Sequence, residues 1–223
     1  MKKIVVIGAV FLAAMSFSFA QTQKEIIKER KAISKLSKSE LEAKASKEAR
    51  KEAKQLKKEG WMKTPGALPI EKQLDKSYKM QYEYDEQLRP KYIMGEAMSV
   101  GSHYDAAKMQ AIELSKQTIA EQVQTEIHAF IENTVANKQL ANEDAVSITE
   151  SLIASTNAIV QSMGQVVPIV EVYRTKSGKN KEVLVRIAYN SDMAKEITKK
   201  TIRQNLEEKG NKLHERLDQA LGW

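Results

Sequence analysis

Nine basic side chains carry the clearest chemical signal in the sequence. Arg50, Lys51, Lys54, Lys57 and Lys58 stand close together near the N-terminus, and Arg174, Lys176, Lys179 and Lys181 share a short later stretch. Cations grouped in this way attract phosphate, carboxylate and other anionic groups, with a strength that falls as salt rises. Side chains for other chemistries are missing or scattered. The chain has no cysteine, so it can form no disulfide, thiolate metal site or iron–sulfur cluster. Its histidines, His103, His128 and His214, include no pair at the i, i+4 spacing that lets one helix hold a metal. No Gly-rich phosphate loop or G-x-S-x-G elbow is present. Carboxylates are plentiful but sit among lysines, as solvated helix faces produce. A glycosidase-like pair assembles in space, so only the fold could reveal one. The sequence therefore assigns no catalytic residue, metal or cofactor, and it reads as a non-enzymatic protein.

The charge is unevenly placed. The 223 residues carry +7 overall. Residues 21–60 hold 13 Lys or Arg against 7 Glu, whereas residues 61–223 hold 21 basic against 22 acidic. The basic character belongs to an N-terminal arm, not to the body. Ahead of the arm lies an export leader: Lys2 and Lys3, an apolar run from Ile4 to Met15, and small residues in Ser18-Phe19-Ala20. Cleavage is expected after Ala20. With no cysteine there, no lipid anchor can be added, so the mature chain is expected in the periplasm or at the outer membrane, unlipidated.

The elements that must position the cations follow in order. Residues 21–60 form a charged helical arm. Capping boxes at Ser37/Glu40 and Ser39/Glu42 suggest two helices meeting near Ser37. Gly60 suits a left-handed C′ position, which would bring Leu56 and Trp61 together in a Schellman contact. Pro65, Gly66 and Pro69 mark a linker, and a helix to about Leu88 follows, packing Ile70, Leu74, Tyr78, Tyr82 and Leu88. Tyr78, Tyr82, Tyr84 and Tyr92 read either as a sugar or peptide platform or as core-rim residues with wet hydroxyls.

Residues 91–190 form the core module. An extended segment from Lys91 to Val100 has Gly95 at a possible bulge. A helix capped by Ser102 and Asp105 then runs to about Ala136, with an inward stripe of Ile112, Ile119, Val123, Ile127, Phe130 and Ile131. Ala106, Ala107, Ala111 and Ala120 permit a close neighbour. Asn142 caps a second helix with Ile148, Leu152, Ile159 and Met163 inward. Two strands close the module, Val166–Tyr173 with Pro168 near an edge, and Glu182–Tyr189 with Val183, Val185 and Ile187 on one face. One sheet face should be covered by helices and the other more open. Ser191 and Asp192 start a last amphipathic helix over residues 191–223, with Ile197, Ile202, Leu206, Leu213, Leu217 and Leu221 on its apolar face. The expected class is α+β: a small antiparallel sheet packed by helices, with the charged arm in front.

Residues 95–189 resemble a bacterial envelope module found in the Lpp-twenty type of surface lipoprotein and in the N-terminal domain of flagellar assembly protein T. The carrying features are the alanine-rich helix over 106–127, Val166-Val-Pro-Ile-Val-Glu-Val-Tyr173, and Val183-Leu-Val-Arg-Ile-Ala-Tyr189. The wider layout is similar to exported proteins of Bacteroidetes. The resemblance implies a small α+β fold and an envelope, assembly or surface role without catalysis. The lipoproteins carry a lipidated cysteine that this chain lacks.

Two functions follow as expectations. In the first, the module binds an envelope protein or cell-wall component through its open sheet face and the loop bearing Arg174, Lys176, Lys179 and Lys181. In the second, the arm bearing Arg50, Lys51, Lys54, Lys57 and Lys58 binds a polyanion or membrane surface. Each basic stretch also has a plainer reading, a solvated hairpin tip and a Lys–Glu-rich solvated helix. The arm has no aromatic residue before Trp61, which argues against nucleic acid as its ligand and against a membrane wedge. Thin apolar stripes on both terminal helices leave self-association open.

Overall fold

The computed structural model describes residues 42–137, 141–176 and 178–208, together with positions 28, 31, 35, 38 and 39. Among them are six helices and a four-stranded antiparallel sheet, the expected α+β class. The elements in chain order are α1 (Lys47–Lys58), β1 (Met62–Lys63), α2 (Ile70–Gln81), β2 (Tyr92–Gly101), α3 (Tyr104–Ala136), α4 (Asn142–Ala154), α5 (Thr156–Ser162), β3 (Val170–Thr175), β4 (Lys181–Asn190) and α6 (Ser191–Glu208). The chain divides into two units between Lys44 and Ala45, and all of these elements lie in the second. The division falls inside the charged arm rather than at residue 60. The leader, Ser37 and Glu40 of the first expected capping box, Gly210 and the leucines of 213–221 lie outside the described residues.

The sheet order is β1-β3-β4-β2, antiparallel throughout. One face carries the main core. Val183, Val185 and Ile187 alternate inward as the sequence pattern requires and meet Ala107, Ala111, Ile119, Val123 and Ile127 of α3. Ile148, Leu152, Ile159 and Met163, from α4, α5 and the residue just after it, join them, with Ile202 and Leu206 of α6. Each fully buried Ile or Leu contributes roughly 1.5–3 kcal/mol, so this layer supplies most of the drive to fold.

α3 approaches the sheet closely, and Gly95 is why. A Cβ there would lie 2.2 Å from the Ser115 carbonyl oxygen and 2.8 Å from Ile119 Cγ1. The expected bulge at Gly95 is absent, because β2 pairs with β4 in unbroken register from Tyr92↔Asn190 to Gly101↔Lys181. The glycine makes room for a helix instead.

Several boundaries differ from expectation, each for a local reason. The residue before α1 is Ser46, whose hydroxyl accepts from the Ala49 amide, so α1 starts there, and the junction expected near Ser37 lies outside the described residues. α2 stops at Gln81, because Asp85 accepts from the amides of Gln87 and Arg89 and pairs with the Arg89 guanidinium, folding residues 84–90 into a turn. Tyr82 and Leu88 are consequently exposed, at 67% and 82%, and Leu88 takes φ 60°. α3 is preceded by His103 with no side-chain cap, so the Ser102/Asp105 box is not used. Phe130 and Ala106 face outward. Asn142 opens α4 rather than capping it, and the expected second helix divides at Ser155, whose hydroxyl donates back to the Ser151 carbonyl. β3 begins at Val170, beyond Pro168.

The second face of the sheet is not simply open. α1 and α2 cover the part formed by β3 and β4, burying Ala45, Ala49, Ala53, Trp61, Ile70 and Leu74 against Val170 and Val172. Among the described residues, the strip along β2 is left uncovered. The face expected to be the more open one is thus partly covered, because alanines at 45, 49 and 53, thin as sequence, let α1 sit close to its neighbours.

Candidate anionic-surface interface

α1 is held by both ends and by its middle. At its start, the Ser46 amide donates to Asp75 of α2 at 2.8 Å. That hydrogen bond holds the Asp75 carboxyl below its ordinary range, with Lys79 adding to the effect. In the middle, Tyr78 donates to Glu52, and burial together with that carboxylate pushes the phenol up to about 12. Arg186 of β4 lies 3.8 Å from Glu52, donates to Ser77 Oγ at 3.0 Å and to Glu96 at 2.6 Å. At the C-terminal end the expected Schellman motif is formed. Gly60 has φ 85°, the Trp61 amide donates to the Leu56 carbonyl at 3.0 Å and the Gly60 amide to Lys57 at 3.2 Å. Trp61 is only 4% exposed and packs in the same cluster as Leu56.

The packing face of α1 fixes what its other face presents. Ala49, Ala53 and Leu56 point inward. Lys47, Lys51, Lys54 and Lys58, spaced by four, three and four, therefore form one exposed stripe on the opposite side. Among the described residues none of these four has a carboxylate partner within salt-bridge distance. The flanking cations are engaged differently. Lys57 pairs with Glu71 of α2 at 3.0 Å, and Arg50 donates through Nε to the Ser46 carbonyl at 3.3 Å. The structure thus brings Lys51, Lys54 and Lys58 together and sets Arg50 and Lys57 at the flanks. Lys47 joins the stripe. Its heptad-like spacing was visible in the sequence, but only the alanine packing face shows which lysines point out.

Three of the four loop cations are engaged within the chain. Arg174 donates to Glu182 at 2.6 Å, stacks over the Trp61 ring at 4.4 Å and donates to the Glu59 carbonyl at 3.2 Å. Lys176 donates to the other oxygen of Glu182 at 2.7 Å. Glu182 is 5% exposed, and the Lys176 and Arg174 hydrogen bonds outweigh its desolvation, holding its carboxyl below the usual range. Lys181 donates to Thr175 at 2.8 Å and lies 6.0 Å over the Tyr173 ring. Lys179 is exposed beside Gly178, which turns at φ 69°.

A second polar cluster ties the linker to the sheet. Glu171 accepts from Tyr104 and, at 3.0 Å, from Thr64, and it pairs with Lys108 at 2.8 Å. Burial raises its pKa, but Lys108 and Tyr104 more than reverse this and leave it lowered. Its backbone amide donates to buried Gln73. Every member has a partner, so the cluster reads as a fastening. Between α3 and α4 runs a groove of about 480 Å³ with Ile131, Val135, Ala145 and Val146 on its walls and His128, Glu132 and Glu150 at its lip. Both glutamates are exposed, so they lack the desolvation that sets apart an acid–base pair. Among the described residues no cluster of His, Asp and Glu could hold a metal, and no helix is long and apolar enough to cross a membrane. His214 lies outside them. The tyrosines form no platform: Tyr78 packs under α1, while Tyr82 and Tyr84 stay exposed on the turn.

Comparisons with protein-family models, with curated proteins and with solved structures each returned no match. What characterises the molecule is its own arrangement, an α+β sheet protein with a firmly docked basic helix.

Proposed function

We propose that this is a non-enzymatic protein, exported through its N-terminal leader, that attaches to an anionic envelope surface through the outer face of α1. The observation that carries the reading is the stripe of Lys47, Lys51, Lys54 and Lys58, exposed and without acidic partners among the described residues. A helix already folded and pinned loses little conformational entropy when it binds. A lysine near an anionic lipid surface is worth about 1 kcal/mol, so four acting together give roughly 4 kcal/mol. With no aromatic wedge on the stripe, attachment is peripheral and screened by salt. The leader, and the likeness of residues 95–189 to an envelope module, support the address.

The mature chain beginning at Gln21 should sediment with vesicles of phosphatidylglycerol in phosphatidylcholine. It should stay in solution with phosphatidylcholine alone, and release should be steep between 50 and 300 mM NaCl, roughly the range over which the Debye length shrinks by half or more. Binding that ignores lipid charge and salt would refute the reading.

One observation favours a second reading, a protein partner on the sheet. The strip along β2 leaves Met98 and Val100 exposed at 54% and 45%. The Arg174–Lys181 loop, expected to share that contact, is largely committed to Glu182, Thr175 and the aromatic rings.

A further inference from the structure

The two edges of the sheet are built differently. β1 has only two residues, ends in Lys63 and is followed by Pro65, the usual devices that stop an edge from pairing. β2 is ten residues long, contains no Lys or Pro, and keeps one register without a bulge. Its single charge, Glu96, is already held by Arg186 at 2.6 Å. Gln122 of α3 donates to the Met94 carbonyl at 2.9 Å. That carbonyl therefore faces away from β4, and by the antiparallel alternation so do the backbone groups of Glu96, Met98 and Val100. Gln122 closes the edge at Met94. From Glu96 to Val100 no backbone partner beyond β4 is present among the described residues.

We propose that this edge pairs with β2 of a second copy of the chain, antiparallel, about a two-fold axis at Met98. The register follows from charge and from the end closed by Gln122. An axis at Glu96 would set two glutamates face to face, and like charges directly opposite are unfavourable; an axis at Ala97 would set Val100 against Met94, whose carbonyl Gln122 occupies. An axis at Met98 sets Glu96 opposite the partner copy's valine at 100 and Met98 opposite its counterpart. Outward-facing residues then meet outward-facing residues, as a hydrogen-bonded ladder requires, giving about six backbone hydrogen bonds. Met98 and Val100 of both copies then lie side by side as one contiguous apolar patch. Such an axis runs perpendicular to the sheet, so the two α1 helices lie on the same side of the joined sheet. Two lysine stripes would then face one surface together.

The absence of cysteine makes the test clean. Met98→Cys places the only thiol of the chain on the axis. Residues of a hydrogen-bonded antiparallel pair have Cα atoms about 5.5 Å apart, within disulfide range. The mature chain carrying this substitution should convert almost wholly to a covalent dimer under mild oxidation. Met109→Cys, on exposed α3 surface, should cross-link at least tenfold more slowly. Met98→Pro removes an outward amide without touching the bonds to β4. It should sediment as a monomer at concentrations where the unaltered chain is dimeric, with the same circular dichroism. An unaltered chain that sediments as a monomer up to 100 µM, or equal cross-linking through positions 98 and 109, would overturn the proposal.

Discussion

Helix α1 and the β3–β4 hairpin are equally basic to the eye, yet they use their charge in opposite ways. On the hairpin, Arg174 and Lys176 converge on one buried carboxylate, Glu182, and Arg174 also covers Trp61. Both are held within the hairpin, and Arg174 also fastens the C-terminal end of α1 to the sheet. On α1 the acidic residues Glu48 and Glu52 are few, and Glu52 turns inward to Tyr78. The outer lysines are left facing solvent. A count of positive charges weighs the two stretches alike. What separates them is whether a desolvated anion lies within reach, because a paired cation offers little further attraction to an outside ligand.

The comparison can be broken by experiment. The largest effect should come from reversing the stripe. Changing Lys47, Lys51, Lys54 and Lys58 to Glu should weaken binding to anionic vesicles by a factor of 10³ or more, from about 1 kcal/mol per lost lysine plus new repulsion. The midpoint of thermal unfolding should scarcely move, since these side chains face solvent. Next, Gly95→Ala drives a methyl group into the Ser115 carbonyl and should cost about 3 kcal/mol in denaturant unfolding, while vesicle binding of the folded fraction is kept. Glu182→Ala leaves Arg174 and Lys176 without their shared acceptor. It should cost roughly 2 kcal/mol and loosen the end of α1, seen as a red shift in Trp61 fluorescence.

Acid should act in the same direction and more weakly. Asp75, Glu71 and Glu182 all have lowered folded pKa values. Their contribution is complete above the ordinary carboxylate range and is lost as pH falls through the lowered values, so stability should drop below about pH 4 and hold steady above it. The smallest effect belongs to the hairpin tip. Lys179→Ser should change vesicle binding by less than threefold and stability by less than about 0.5 kcal/mol.

Much of this architecture was legible in the chain. The alternation of Val183, Val185 and Ile187 specified the covered sheet face, and Gly60 with Leu56 and Trp61 specified the end of α1. The inward positions of Ile148, Leu152, Ile159 and Met163 also followed from helical spacing. Other features depend on contacts between distant residues. Asp75 helps fix where α1 begins, and it lies 29 residues from Ser46. Glu182 looks outward by strand alternation, and only the approach of Arg174 and Lys176 explains its burial. Gly95 resembles a bulge in sequence because nothing local reveals that α3 will lie against it. The lysine stripe was half visible: the spacing was present, but the alanine face that orients it became meaningful only when packed against α2.

The most direct test of the central claim compares two variants of the mature chain on phosphatidylglycerol vesicles at 100 mM salt. One carries Glu at positions 47, 51, 54 and 58, and the other carries Ser at 176, 179 and 181. If α1 is the binding surface and the hairpin a fastening, the first variant stays in the supernatant and the second sediments like the unaltered protein. Sedimentation of the first with loss of the second would contradict the account and return the contact to the hairpin.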